Sequence, residues 1–425
     1  MTALAACGDT KQVGTIGYVQ GFVGAVAGDE PMAVLAAQDV LSAGGSAADA
    51  AVTLYFSLAV TLPSTASLGG GGSCIVVDHQ RKGYDVVDFP APAAVQPGAL
   101  PVAVPANARG MFSLQAKYGR LRWESLLAAP ERMAREGFLV SRALATDLAK
   151  AAPLLANDDE ARQMFFRADG RVLNEGERAT NHQLASLFAS LRRSPGDFYT
   201  GQLGRQLAAA AQAVGAGLTA EDLRDVRAQL SPGATFDLGS DLAVLPQSRA
   251  DTAQWGAALV KRKSSERPQA VAERVARGAS VPGTGFGIID SSGGGVACAF
   301  TANGLFGTGR VAQGTGMLLA AAPVPGVMPA VPAMVLNPNV QEVRFVGAAS
   351  GGGDPGAALM SALAAVEDDD KKAADAVAGA AAGLPEAAAS RVDAVACLSG
   401  SPTAVRCTAA SDPKGYGYSI VIGKR

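Results

Sequence analysis

Few side chains in this sequence combine the type and spacing that chemistry demands. The only histidines are His79 and His182, and no Cys-x-x-Cys or Cys/His cluster exists. A metal site and a Ser-His-Asp triad are therefore both poorly supported. Cys397 and Cys407 flank the turn-rich stretch Leu398 to Arg406, where pairing them would close a short hairpin-like loop. Such a bridge needs an oxidising compartment. Cys74 and Cys298 sit in apolar strand-like runs, and the expectation there is a buried free thiol used as a small hydrophobe. The acidic run Glu367 to Asp370 precedes the helical stretch Ala373 to Gly383. Acidic residues near a helix N-terminus suit its dipole, and no converging ligands accompany them.

The elements that must carry these residues follow from periodicity and punctuation. Phe22 to about Gln80 reads as strand, helix, loop, helix, glycine loop and strand. Apolar spacing makes Val34 to Leu41 helical, Gly44-Gly45 stops it, and Ser46 with Asp49 is a capping-box-like start for the next helix. The consecutive glycines Gly69 to Gly72 require either a close backbone approach or a φ > 0 turn. Met111 to about Leu230 is mainly helical, with its charges on solvated faces. Phe286 to Asp290, the turn Ser291-Ser292-Gly293-Gly294 and Val296 to Ala302 make a hairpin. Ala321 to Pro332 is Pro/Ala-rich and is expected to be extended, as a linker or rigid surface loop.

Composition sets the outer bounds. The 425 residues are 48% hydrophobic and only 5% aromatic, which fits close-packed helices over a sheet rather than a disordered chain. A formal charge of −2 without Lys/Arg clusters leaves no electrostatic footprint for nucleic acid. The most apolar helix, Ala47 to Leu62, carries Asp49 and is shorter than the ~20 residues that cross a bilayer.

Two glycine-rich segments in order carry a family resemblance. Gly44-Gly45-Ser46-Ala47-Ala48-Asp49-Ala50-Ala51-Val52, followed by Leu68 to Gly72, is similar to the paired motifs of the γ-glutamyltranspeptidase family. Val104-Pro105, Arg109-Gly110, Lys117 to Trp123, Glu136-Gly137-Phe138, Asp197 to Gly201 and Leu218 to Leu223 continue the match. The resemblance implies an α/β fold, a four-layer αββα sandwich of the N-terminal nucleophile hydrolase type with a helical large-subunit-like part. It divides the chain into a tail (1–21), a large-subunit-like part (22–282) and a small-subunit-like part (283–425), the latter two forming one compact domain.

The resemblance also implies a self-cleavage site, which the family writes Thr-Thr-His-aromatic-Ser, two aliphatics, Asp. Its first Thr becomes a new N-terminus and attacks γ-glutamyl amides with its own α-amine as base. Laid on Phe286, Ile288, Ile289 and Asp290, that position falls on Gly283. Thr284 is the displaced candidate nucleophile; one residue along a strand is ~3.3 Å and the opposite face. Asn303, in Asn303-Gly304-Leu305-Phe306-Gly307-Thr308-Gly309, matches the family residue that helps bind the substrate's amino end. Gly351 and Gly352 match the segment whose backbone N–H groups form the oxyanion hole, although a Gly-rich packing turn reads the same way.

The departures all remove charge or hydroxyls. The family's carboxylate-gripping Arg is absent, since Asp88-Phe89 runs into Pro90-Ala91-Pro92. Its acidic segment becomes Ala320-Ala321-Ala322-Pro323-Val324-Pro325, and its paired serines become Gly326-Val327-Met328-Pro329-Ala330. Only about 35 residues separate Gln247 from Gly283, fewer than relatives use to cover the site.

Finally, Leu4-Ala5-Ala6-Cys7-Gly8 resembles a bacterial lipobox, with Cys7 as the lipidated residue. That implies export and a periplasmic, lipid-anchored protein; a cytoplasmic protein is the alternative, because only Met1, Thr2 and Ala3 precede the motif. Two function classes result. One is an uncleaved, inactive γ-glutamyltranspeptidase-like component that binds a protein partner in an envelope complex, with no cofactor. The other is an active N-terminal-threonine amidase using Thr284, with a glutathione-like substrate.

Overall fold

Ser46 and Asp49 begin the central helix of the molecule by capping each other. The Ser46 Oγ accepts from the Asp49 N–H at 3.2 Å, and Asp49 Oδ2 accepts from the Ser46 N–H at 2.9 Å. The helix they start, α2 (Ala47–Thr61), follows α1 (Pro31–Ser42) and buries every one of its residues. A helix with no polar stripe must be enclosed on all sides. Arg120 and Leu121 donate their backbone N–H groups to the same Asp49 oxygen at 2.9 and 3.1 Å, so one carboxylate ties the helix start to a distant loop.

The computed structural model describes residues 21–79, 83–96, 98–247, 251–261, 281–324, 330–340, 342–380, 382, 390–398 and 406–423. Cys7, and most of the segment Gly326 to Ala330, lie outside the described residues. In chain order the strands are β1 (Phe22–Gly28), β2 (Gly71–Asp78), β3 (Gly83–Phe89), β4 (Phe138–Leu139), β5 (Arg178–Ala179), β6 (Gln229–Ser231), β7 (Ala234–Asp237) and β8 (Leu242–Leu245). The second half adds β9 (Thr284–Asp290), β10 (Gly295–Thr301), β11 (Val311–Ala312), β12 (Met317–Leu318), β13 (Ala330–Asn337), β14 (Glu342–Ser350), β15 (Arg391–Cys397), β16 (Cys407–Ala410) and β17 (Tyr418–Gly423).

Two antiparallel sheets form from these, ordered β17-β1-β9-β10-β2-β3-β6 and β16-β15-β14-β13-β8-β7, with β4/β5 and β11/β12 as small ribbons. Each large sheet mixes strands from both sides of Gly283. The outer face of the first sheet, through Val26, Phe286, Ile288 and Phe300, packs on the large helical layer that includes α1 and α2. The facing surfaces of the two sheets meet through Ile75, Ile289, Met334, Val346 and Val395. The outer face of the second sheet is covered by the helices Thr252–Lys261, Pro355–Asp369 and Ala373–Ala380. The order of layers is helix, sheet, sheet, helix, the expected four-layer sandwich.

Along β9 the two faces alternate with period two. Phe286 and Ile288 face the helical layer, while Gly285, Gly287 and Ile289 face the second sheet. A Cβ on Gly287 would lie 2.6 Å from the Val346 carbonyl oxygen, and one on Gly285 would collide with the Ala348 methyl. The glycine run Gly69 to Gly72, which leads into β2, is a close approach rather than a left-handed turn. None of Gly69 to Gly72 has positive φ, and a Cβ on Gly70 would run into the Thr301 carbonyl.

Two sequence expectations are corrected here. Cys74 and Cys298 are joined in a disulfide, not free, because β2 and β10 are neighbours and their register sets the two cysteines directly opposite. Ala330, Val331 and Pro332 are buried strand residues of β13 rather than surface linker. Cys397 and Cys407 are likewise paired in register and disulfide-bonded.

Candidate functional site

Thr284 is the first residue of β9 and is fully buried. Its Oγ1 donates to Asp29 Oδ2 at 2.8 Å. Asp29 immediately follows β1, whose Gly28 pairs with Phe286, so antiparallel register carries the carboxyl to the start of β9. The same carboxyl lies 3.8 Å from the Arg391 guanidinium. Arg391 opens β15 and donates through Nη2 to the Gly283 carbonyl at 3.2 Å. One residue earlier, the Pro282 carbonyl accepts from Thr301 Oγ1 at 2.9 Å. Both peptide carbonyls before Thr284 are thus held by side chains.

Acidic groups surround the Arg391 guanidinium. Asp29, Asp147, Asp393 and Asp412 all raise its pKa above the ordinary arginine value, Asp29 most. Asp393 pairs in register with Ala348, which puts its side chain on the face between the sheets beside Asp29. Burial, and then the negative charge of Asp29, hold the Asp393 carboxyl well above the usual carboxylate range. One of its oxygens lacks a hydrogen-bond partner. Asp147 in the helix Arg142–Leu155 accepts from Ser64 Oγ at 2.6 Å, and burial raises its pKa too. This corrects the reading of the helical block as charged only on solvated faces: Asp147 points at the β9 end of the sandwich.

The other residues singled out by sequence come to the same end. Asn303 follows Thr301 with φ +56°, and its Nδ2 donates to the Ala321 carbonyl at 3.0 Å. Gly351 and Gly352 turn out of β14 with φ +66° and +64°, the left-handed conformation that favours glycine. Ser350 just before them pairs with Arg391, and Ser390 Oγ donates to the Gly351 carbonyl at 2.8 Å. Asp88 lies in the pair β2/β3 opposite Ser73. Among the described residues no group of His, Cys, Asp and Glu is arranged to hold a metal ion.

Asp29, Asp147, Arg391 and Asp393 were not singled out from sequence. They stand far apart in the chain and belong to no motif. The one available signal was Arg391 and Asp393 alternating within an otherwise apolar strand, where a charge must point inward at the sheet's end.

Chemically, the arrangement offers a hydroxyl hydrogen-bonded to a carboxyl, and a guanidinium on the carbonyl preceding that hydroxyl. Position 283, just before β9, has no side chain.

Comparison with known proteins agrees with the architecture. The gamma-glutamyltranspeptidase family model matches residues 33–248, just over half of the chain. Glutathione hydrolase 3 of Arabidopsis thaliana is 30% identical over 242 residues, which are 53% of this chain and 38% of that protein. The glutathione hydrolase proenzyme of Bacillus subtilis is 30% identical over 223 residues, 48% of this chain and 38% of its own length. Among solved structures, cephalosporin acylase from Bacillus halodurans superposes with a TM-score of 0.75 over 100% of both chains at 18% identity. The Helicobacter pylori gamma-glutamyltranspeptidase gives 0.51 over 59% of this chain and 76% of its own, at 22% identity. The matched region spans under half the length of the two curated relatives, and the structural likenesses speak for the fold. Architecture, motifs and family match together establish that the chain belongs to the gamma-glutamyltranspeptidase family.

Proposed function

We propose that this chain is a gamma-glutamyltranspeptidase-like protein that neither cleaves itself nor turns over substrate, and that it serves as a binding or assembly component at the cell envelope. The observation that carries this reading is that the residue laid on the family's nucleophile is Gly283, which has no side chain, while the hydroxyl of the next residue, Thr284, is buried with its proton committed to Asp29. A misplacement of ~1 Å already costs on the order of a hundredfold in rate. The prolines after Phe89 and the apolar run from Ala320 support the same reading, because no charged grip for an amino-acid head group comes from either. Two disulfides favour an oxidising compartment, in keeping with Cys7 as a lipid-bearing residue and a periplasmic location.

A second reading has its own observation. Asp29 accepts from Thr284 and Arg391 donates to the Gly283 carbonyl, the base and the polarising group that cleavage at Gly283-Thr284 would use. On that reading the chain is an N-terminal-threonine amidase, and Thr284 acts on a glutathione-like substrate.

Intact mass of the full-length chain, denatured and reduced, separates the two, run with and without Thr284→Ala. A single uncleaved chain in both samples is the expected result. Two fragments abolished by the substitution overturn the inactive reading. Envelope anchoring is tested by fractionation: wild type is expected with membranes, Cys7→Ala in the soluble fraction.

A further inference from the structure

The Cys74–Cys298 bond joins residues 224 apart in sequence. Cys74 precedes the Gly283-Thr284 peptide and Cys298 follows it, so the bond bridges the two parts of the chain that this peptide separates. Both cysteines are fully buried, in the central strands β2 and β10 and on the face covered by the helical layer. Reagents in solution have no approach to the sulfurs once that layer is down. The second bond, Cys397–Cys407, lies wholly within the later part and closes the edge pair β15/β16.

We propose that Cys74–Cys298 is a covalent tie between the two parts of the chain, made by thiol–disulfide exchange before the helical layer covers β2 and β10 and shielded from reductants afterwards. The partner this requires is a protein carrying a reactive disulfide. In the exchange, the Cys74 and Cys298 thiols give up two protons and two electrons in all, the new S–S bond forms, and the partner's disulfide is reduced to a dithiol. The chain is then a substrate of a disulfide-donating protein during folding. Any cut between residues 78 and 295, at Gly283 or elsewhere, leaves its products joined. The tie stands whichever reading of Thr284 holds, since it follows from the β2/β10 register and not from the Gly283-Thr284 peptide.

Three measurements on the wild-type protein test this. Digestion after alkylation in urea without reductant should yield one peptide pair linked through Cys74 and Cys298; alkylated Cys74 and Cys298 in that digest overturn the tie. Dithiothreitol should reduce this bond at least ~100-fold more slowly in native buffer than in urea, because reduction must wait for opening of the core. Equal rates in the two conditions overturn the shielding. Refolding of reduced chain should stall with both thiols free until a disulfide-donating protein such as a thioredoxin-fold oxidase is added, and native β2/β10 hydrogen-exchange protection should appear only after the bond forms. Full protection with both thiols still free overturns the order of events.

Discussion

Replacing Thr284 by Val keeps the shape of a buried, β-branched side chain and deletes one hydroxyl. That hydroxyl donates to Asp29 Oδ2 at 2.8 Å in a site without solvent. A hydrogen bond to a charged partner is worth about 1.5–3 kcal/mol, so Thr284→Val should lower unfolding free energy by that amount. Thr284→Ser keeps the donor and removes one buried methyl, which costs about 0.5–1.5 kcal/mol. The order Val worse than Ser is the signature of the hydrogen bond, since the hydrophobic effect alone predicts the reverse. Urea titration followed by fluorescence reads both cores, because Trp123 lies in the large helical layer and Trp255 beneath the outer helices of the second sheet. A double cycle with Asp29→Ala should return a coupling of at least about 1 kcal/mol. If Thr284→Val costs under about 0.5 kcal/mol, or is milder than Thr284→Ser, Thr284 does not hold Asp29 and the geometry argued for this site is wrong.

Asp393→Asn mimics the protonated acid. Because burial raises the folded-state pKa of Asp393 above its unfolded value, its contribution is fully present below the unfolded carboxyl range, near pH ~4. It is lost as pH climbs toward the folded value. The stability of Asp393→Asn relative to wild type should therefore rise from pH 4 to pH 8 by urea midpoint, and a constant difference would count against a raised Asp393 pKa. Asp49→Ala strands the backbone donors of Ser46, Arg120 and Leu121 and should cost at least about 3 kcal/mol. Asp49→Asn, which can still present an acceptor, should cost much less; equal losses would assign the role to charge. Cys74→Ala with Cys298→Ala opens a loop of 224 residues, worth about 5 kcal/mol in the chain-entropy view, and should leave the chain without a native unfolding transition. Calorimetry that finds under about 1 kcal/mol would show the unfolded chain is not constrained by the bond.

Local rules made much of the first block legible. The Ser46/Asp49 cap, the Gly44-Gly45 stop and the hairpin at Asp290 all depend on residues within a few positions of one another, and sequence displays such neighbours directly. Two ordered glycine motifs then carried the fold, because close approaches such as Gly70 against Thr301 tolerate nothing larger. The cluster around Arg391 was hidden for the opposite reason. Asp29, Asp147, Arg391 and Asp393 meet only after both sheets and a helix have been assembled. Cys74 and Cys298 illustrate the same limit: each run reads as an apolar strand, and only the order β9-β10-β2 sets one sulfur against the other.

The small residues on the inner face of β9 leave the two sheets no slack at this point. Ala348 and the Val346 carbonyl lie so close to Gly285 and Gly287 that neither position has room for a Cβ. A side chain at either one would push β14 away from β9, and the displacement would pass to β13 and β15, which pair with β14 on its two sides. Larger residues at 285 or 287 are therefore admitted only together with change in β14. Under substitution the two strands behave as one unit, although they belong to different sheets.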